Sequence, residues 1–274
     1  MLRKMQAMQH SYETDGSLSA VSLTAPTGAG KTVIAAAVAE GLFAGNETFP
    51  GDDRAVILWL SDSPSLNQQT LKRFEAASDQ LPTAATMQVI DPEFARRERK
   101  LSPGHIYFLN RQLLSARGKL TNETEGSRTF YDLLTDTLED PEIHLFLFMI
   151  DGQKGKNPPM PAVVGISATP ERFQAAMQGR QNRDIKAPVE VPVSQVRDSG
   201  LIKDTIELRT PKKAADTKHQ DLTLACIKLA QVSKTWKEYC GEHQISPPVF
   251  PLLIVQVEDK VSLDTLSSLC AQIR

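Results

Sequence analysis

The stretch Leu18-Ser19-Ala20-Val21-Ser22-Leu23-Thr24-Ala25-Pro26-Thr27-Gly28-Ala29-Gly30-Lys31-Thr32 decides how the rest of the chain is read. Residues 18–24 are apolar and small, as in a strand buried on both faces. Residues 32–43 are Ala-rich and read as a helix. Between them lies a loop of small residues. Such residues let successive backbone N–H groups curl around an anion, and Gly28 and Gly30 tolerate the required angles and close approach. The helix that follows aims the positive end of its dipole at the same spot. A lysine and a threonine at this point suit a nucleotide: Lys31 to reach the β- and γ-phosphates, the Thr32 hydroxyl to ligate Mg²⁺. Thr27, Gly28, Ala29 and Gly30 supply the cradle. The bland alternative is a Gly-rich turn with an incidental lysine, and the strand–loop–helix setting argues against it.

Working outward, strand-like runs alternate with helix-like ones. Residues 55–60, 87–90, 106–109, 145–150 and 163–166 read as strands, and 65–77 and 130–138 as helices. Continuous apolar strands alternating with helices indicate a parallel sheet covered by helices, a doubly wound α/β domain. The run Leu145-Phe146-Leu147-Phe148-Met149-Ile150-Asp151 offers a carboxylate at the end of an apolar strand, where a phosphate-loop ATPase holds its metal. A turn aspartate ending a strand is the alternative.

Composition bounds the rest. The chain has 274 residues, which suggests about two domains at roughly 150 residues each. Apolar residues make up 41% and charged residues 23%, which excludes wholesale disorder, collagen and coiled coil. No apolar run approaches the ~20 residues of a membrane helix, and no signal segment follows Arg3 and Lys4. The three cysteines lack CxxC spacing, which argues against a disulfide framework or structural zinc, so a cytoplasmic protein is expected. The net charge of −2 gives no global attraction to nucleic acid, so any such binding needs localised positive charge. The basic run at 96–100 reads as a solvated face.

Beyond residue 175 the character changes. Residues 187–193 and 201–208 look like strands, 211–219 like a charged linker, and 222–242 like one long helix. Residues 252–257 (LLIVQV) then read as a new buried strand and 262–273 as an amphipathic helix, a pair too small to bury a core of its own.

The loop APTGAGKT, the strand FLFMID and the segment Gly165-Ile166-Ser167-Ala168-Thr169-Pro170 together resemble motifs I, II and III of superfamily-two helicases. Ser61-Asp62-Ser63-Pro64-Ser65-Leu66-Asn67-Gln68-Gln69-Thr70 and His105-Ile106-Tyr107-Phe108-Leu109-Asn110 are similar to the DNA-facing segments of the branch containing the Res subunits of type III restriction enzymes. Leu2-Arg3-Lys4-Met5-Gln6 resembles the adenine-reading segment ahead of motif I. The resemblance implies a RecA-like nucleotide-binding domain over residues 1–210, a linker and long helix over 211–248, and the start of a second RecA-like domain over 249–274. It further implies ATP and Mg²⁺ as cofactors and ATP-driven movement on nucleic acid, DNA rather than RNA, with partner subunits of a restriction or antiviral assembly and no membrane. Lys31 and Asp151 would be catalytic, and Thr32 and Asp151 the metal ligands. Gln6 would select adenine, Ser167, Ala168 and Thr169 would couple nucleotide state to the nucleic-acid groove, and Ser61, Ser63, Gln68 and Asn110 would contact the nucleic acid.

From the residues alone, a Ser at the start of the 65–77 helix is equally well explained by capping, with Ser65 the candidate. Asn110 and Arg111 equally suit a surface loop, and Arg172, Arg180 and Arg183 an anion path or a solvated face. Trp59 and Trp236 read as core residues rather than base-stacking platforms. One departure from the family matters. Its motif II continues with a Glu, but here Gly152 follows Asp151 and the next carboxylate is Glu171. Either that Glu is lost or residues are missing between Asp151 and Gly152; the loop-like run 153–161 favours the latter. Motifs V and VI are not found before Arg274. Taken literally, the sequence also admits a nucleotide-binding scaffold that does not hydrolyse. A small-molecule phosphotransferase fits less well, because of the Ser-Ala-Thr segment and the lack of an Arg-rich lid.

Overall fold

The computed structural model describes residues 1–114, 120, 128–150, 159–178, 182–200, 218–246 and 249–255. The chain divides into two compact units, Met1–Asp204 and Thr205–Arg274.

The first unit runs α1 (Leu2–Asp15), β1 (Leu18–Thr24), α2 (Lys31–Ala44), β2 (Ala55–Ser61), α3 (Pro64–Ala77), α4 (Leu81–Ala84), β3 (Thr86–Val89), α5 (Phe94–Arg97) and β4 (His105–Asn110). It continues with α6 (Phe130–Leu138), β5 (His144–Ile150), β6 (Ala162–Ser167), α7 (Pro170–Gln178), β7 (Arg183–Ile185), β8 (Val189–Glu190) and α8 (Val193–Asp198). Among the described residues the strands form one sheet in the order β3-β4-β2-β5-β6-β1-β7, with β8 also paired to β1. All the ladders are parallel.

The apolar strands divide their side chains between two cores, because successive residues point to opposite faces. In β5, Leu145, Leu147 and Met149 join Phe130, Leu133, Leu134 and Phe173 from α6 and α7. Phe146 and Phe148 point the other way, towards Met5 and Met8 of α1, Ala35, Ala36, Ala39 and Leu42 of α2, and Phe74 of α3. The alanines of α2 let its backbone lie close to the sheet. Trp59 is a core residue as expected, edge-on to Phe74 at 5.2 Å and stacked on Phe148 at 6.0 Å. At about 1.5–3 kcal/mol per buried large apolar side chain, these two layers carry the fold. Gly165 is dictated by packing, since a Cβ there would stand 2.1 Å from the Phe173 ring.

The edge where the strands begin is closed by polar clamps. Arg183 donates to Ser19 O (2.9 Å) and Met160 O (2.8 Å), which ties β7 to the starts of β1 and β6. An anion-path role for Arg183 is thereby corrected, because its guanidinium is spent on backbone carbonyls at the opposite edge from the phosphate loop. Nearby, His144 is 8% exposed, with Nδ1 2.7 Å from Asp52 Oδ2 and Nε2 2.8 Å from Glu13 Oε1. The basic run at 96–100 is a solvated face: Arg96 pairs with Glu93, Arg97 with Asp91 and Lys100 with Asp140.

The strand expected over 187–193 is corrected to the two residues of β8 followed by the helix α8, which starts at Val193 after Pro192 as its N-cap. Pro188 and Pro192 cannot donate to a ladder, so the pairing cannot extend. The second unit holds α9 (Lys218–Glu242), on which Trp236, Tyr239 and His243 stack in series. Residues 252–255, expected in a buried strand, carry no strand, and Leu252 and Ile254 are each 82% exposed. The segments 201–208, 256–257 and 262–273 lie outside the described residues.

Candidate nucleotide and nucleic-acid site

Ligands of open parallel sheets bind beyond the carboxyl ends of the strands. At that edge β1 runs through Ala25 into the phosphate loop. Gly28 (φ 89°) and Gly30 (φ 71°) both take left-handed angles, which explains why glycine stands at each. Ala25 and Ala29 are buried, whereas Thr27 and Gly28 face solvent. A single turn bond, Ala29 N to Pro26 O at 3.1 Å, closes the loop. The Lys31 ammonium reaches back over it to Pro26 O at 3.4 Å, which places a positive charge across the mouth of the cradle.

α2 begins bare, as α1, α4, α5 and α8 do. Gly30 is its N-cap, without a side-chain hydrogen bond and without an acidic residue in the first turn. By contrast, Ser63 caps α3 by accepting from Leu66 N, and Thr129 and Asp132 form a full capping box on α6. The first amides of α2 are therefore left for water or an anion, with the helix dipole behind them. Thr32, half-buried in the first turn, stands beside them.

β6 lies between β1 and β5, so the loop after β1, the Ser-Ala-Thr segment and the end of β5 stand side by side. Ala25 N donates to Ser167 O at 3.2 Å, a direct backbone link between the phosphate loop and the Ser-Ala-Thr segment. Ser167 is buried; its hydroxyl donates to Thr169 O (3.2 Å) and accepts from Thr169 N (3.1 Å), leaving Ala168 half-buried and Thr169 exposed. On the other side, Ile150 pairs in register with Ile166. Asp151 itself lies outside the described residues, as does Arg180.

On the next two strands along the sheet, Ser61 and Asn110 are register partners at the ends of β2 and β4. Both are buried, at 7% and 4% exposure. The Ser61 hydroxyl is spent inward, 2.6 Å from Asn67 Oδ1 and 3.0 Å from Ser63 O, and Asn110 Oδ1 accepts from Gln112 N at 2.9 Å. Gln68 and, partly, Ser63 face solvent. The helix cap expected at Ser65 is corrected to Ser63, as Pro64 at the first helical position could have signalled. Two residues escaped sequence reasoning. Asn67 is 1% exposed and braces Ser61; Asp62 pairs with Arg111 at 3.2 Å across the two strand ends. A polar Asn on the inward face of an amphipathic helix was the available signal for the first.

Gln6 is not brought to the phosphate loop. It is exposed on α1 and lines a groove of about 510 Å³ with Arg3, His10, Glu13, Asp52 and His144, at the edge where β2 and β5 begin. Among the described residues no His/Cys/Asp/Glu cluster suited to a metal is present, and no helix is long and apolar enough to cross a membrane.

A parallel sheet with an uncapped phosphate loop beside a Ser-Ala-Thr segment defines a RecA-like, helicase-like NTPase fold. The model of the family described as "Type III restriction enzyme, res subunit" matches residues 3–172. The chain belongs to that family, and membership implies nucleotide use. Among solved structures it is similar to a nuclease-deletion mutant of the type ISP restriction-modification enzyme LlaGI in complex with a DNA substrate mimic. The identity there is 11%, with a TM-score of 0.38 over 89% of this chain and 23% of that one. It is also similar to the Hef helicase domain of Pyrococcus furiosus, at 16% identity and a TM-score of 0.38 over 86% of this chain and 47% of that one. The chain thus spans about a quarter and about half the length of these two proteins. No curated protein matches it.

Proposed function

We propose that the chain is the nucleotide-binding part of an ATP-driven motor, a helicase or translocase moving on DNA rather than RNA. It would work in the cytoplasm with partner subunits of a restriction or antiviral assembly. The observation that supports this most directly is the backbone bond from Ala25 N to Ser167 O, which couples the phosphate loop to the segment expected to relay nucleotide state.

In this reading the amides of Thr27 to Thr32 cradle the β- and γ-phosphates, and Lys31 moves from Pro26 O onto them. The Thr32 hydroxyl and the Asp151 carboxylate are hard oxygen donors, the set that Mg²⁺ takes alongside phosphate oxygens. The metal would neutralise charge developing on the transferred phosphoryl group. Ser167, Ala168 and Thr169 would sense whether the γ-phosphate is present. Ser63 and Gln68 would meet the nucleic-acid backbone, with Ser61 and Asn110 as the buried frame beneath them. Residues 249–274 would open a second RecA-like domain, and the bare apolar side chains of Leu252 and Ile254 support that reading.

The test is ATP turnover by the full chain with and without single- and double-stranded DNA. DNA-stimulated turnover that disappears in Lys31→Ala supports the motor. The succession of Asp151 by Gly152, with the next carboxylate at Glu171, favours a second reading: a scaffold that binds ATP without hydrolysing it. Tight ATP binding with no turnover on any DNA would establish the scaffold instead.

A further inference from the structure

The ends of β2 and β4 turn their nearest polar atoms inward, as Ser61 and Asn110 show. One residue further out stand two opposite charges. Asp62 Oδ1 lies 3.2 Å from Arg111 Nε, and the side chains are 52% and 47% exposed. Because Ser61 and Asn110 are register partners, this pair spans the ladder at the point where both strands leave the sheet. We propose that it is a charge latch on nucleic-acid binding. Arg111 is the cation that grips a backbone phosphate at this edge, and Asp62 competes with the phosphate for it. The proposal rests on the nucleic-acid reading above and adds a restraint to it.

The argument is one of charge. The chain carries a net −2, so a polyanion is drawn in only by local cations. Arg111 is such a cation on the edge bearing the nucleic-acid segments. A guanidinium offers five N–H donors in a fork matched to phosphate oxygens, and here Nε faces Asp62 Oδ1. An ion pair so exposed adds little to folding, so its consequence falls on what the edge can hold. Each phosphate that takes Arg111 must displace a carboxylate and then lie beside it. Binding is thereby weakened and made easy to reverse, as a stepping protein requires.

The experiment is fluorescence anisotropy with a labelled oligodeoxythymidylate of about 20 nucleotides, on the intact chain, across a salt series. Asp62→Asn should bind about three- to tenfold more tightly than the parent. Arg111→Gln should bind more weakly and lower the slope of log K against log salt by about 0.7, the value for one phosphate on a single strand. Arg111→Lys should keep the slope. The double variant should match Arg111→Gln, because Asp62 acts through Arg111. Thermal melts coinciding with the parent's show that each variant is folded, and Asp62→Ser serves as a second removal of the carboxylate. Unchanged affinity in both Asp62 variants overturns the latch while leaving the nucleic-acid reading intact. So does a double variant still tighter than Arg111→Gln, which would reveal general repulsion. If the parent binds no DNA at any salt, the nucleic-acid reading fails and the latch fails with it.

Discussion

The two edges of the sheet are built from the same strands and treated in opposite ways. Where the strands begin, polar groups are held by partners: buried His144 between Glu13 and Asp52, and half-buried Arg183 on two carbonyls. Where they end, groups are left open: the uncapped first turn of α2, the exposed Gly28 and the half-exposed pair Asp62–Arg111. The difference separates residues that hold the fold from residues that the proposed function assigns to a ligand. Burial alone does not make that distinction, since Ser61, Ser167 and Asn110 are as buried as His144.

The sharpest way to break this contrast is to mutate one edge and read both properties. Lys31→Ala should lower DNA-stimulated ATP turnover by about 100-fold or more while leaving the melting temperature unchanged, since it removes charge stabilisation and no packing. His144→Ala should do the reverse. It removes a buried partner from Asp52 and from Glu13, both of which keep Arg54, and should cost about 2 kcal/mol in a urea titration, with turnover per folded molecule preserved. If turnover fell without a loss of stability, the two edges would not be divided as described. Gly165→Ala tests the strand between them. Its Cβ would press on Phe173, and a loss of about 1–3 kcal/mol is expected, read as a lower urea midpoint at constant slope.

The smallest effect is at the capped helix that contrasts with α2. Thr129→Ala should cost about 1 kcal/mol. Hydrogen bonds from the Thr129 backbone N–H and then its hydroxyl hold the Asp132 carboxyl below its ordinary 3.8. A carboxyl lowered in this way stabilises the fold fully above its unfolded value and ceases to do so as pH falls through the folded one. The gap between Thr129→Ala and the parent should therefore narrow in stability measurements taken below pH 3.8.

Strands and helices that carry their own signal were legible in the sequence. β1 and α6 occupy the residues expected, because one is a continuous apolar run and the other has strong helical spacing. The strand-to-helix turn at 25–30 was legible for the same reason, since Gly28 and Gly30 answer a local backbone demand. What depends on tertiary partners was not. A strand needs a neighbour, and residues 252–255 have none among the described residues. The run 187–193 looks apolar enough, but its prolines stop the ladder after two residues. Arg183 could be read as an anion ligand only until β7 placed it beside Ser19 and Met160. The link from Asp62 to Arg111 joins residues far apart in sequence, and only the β2–β4 register brings them together.

The strand order β2-β5-β6-β1 has a consequence for how such a motor would transmit force. Three interstrand steps of about 4.8 Å put roughly 14 Å between the cradle after β1 and the end of β2. That exceeds the screening distance of about 8 Å in physiological salt, so loss of a phosphate at one place is electrically faint at the other. Under the proposed function the message would travel mainly mechanically, through small tilts of β5 and β6, and stiffening that central plank would uncouple the cradle from the far end of the sheet.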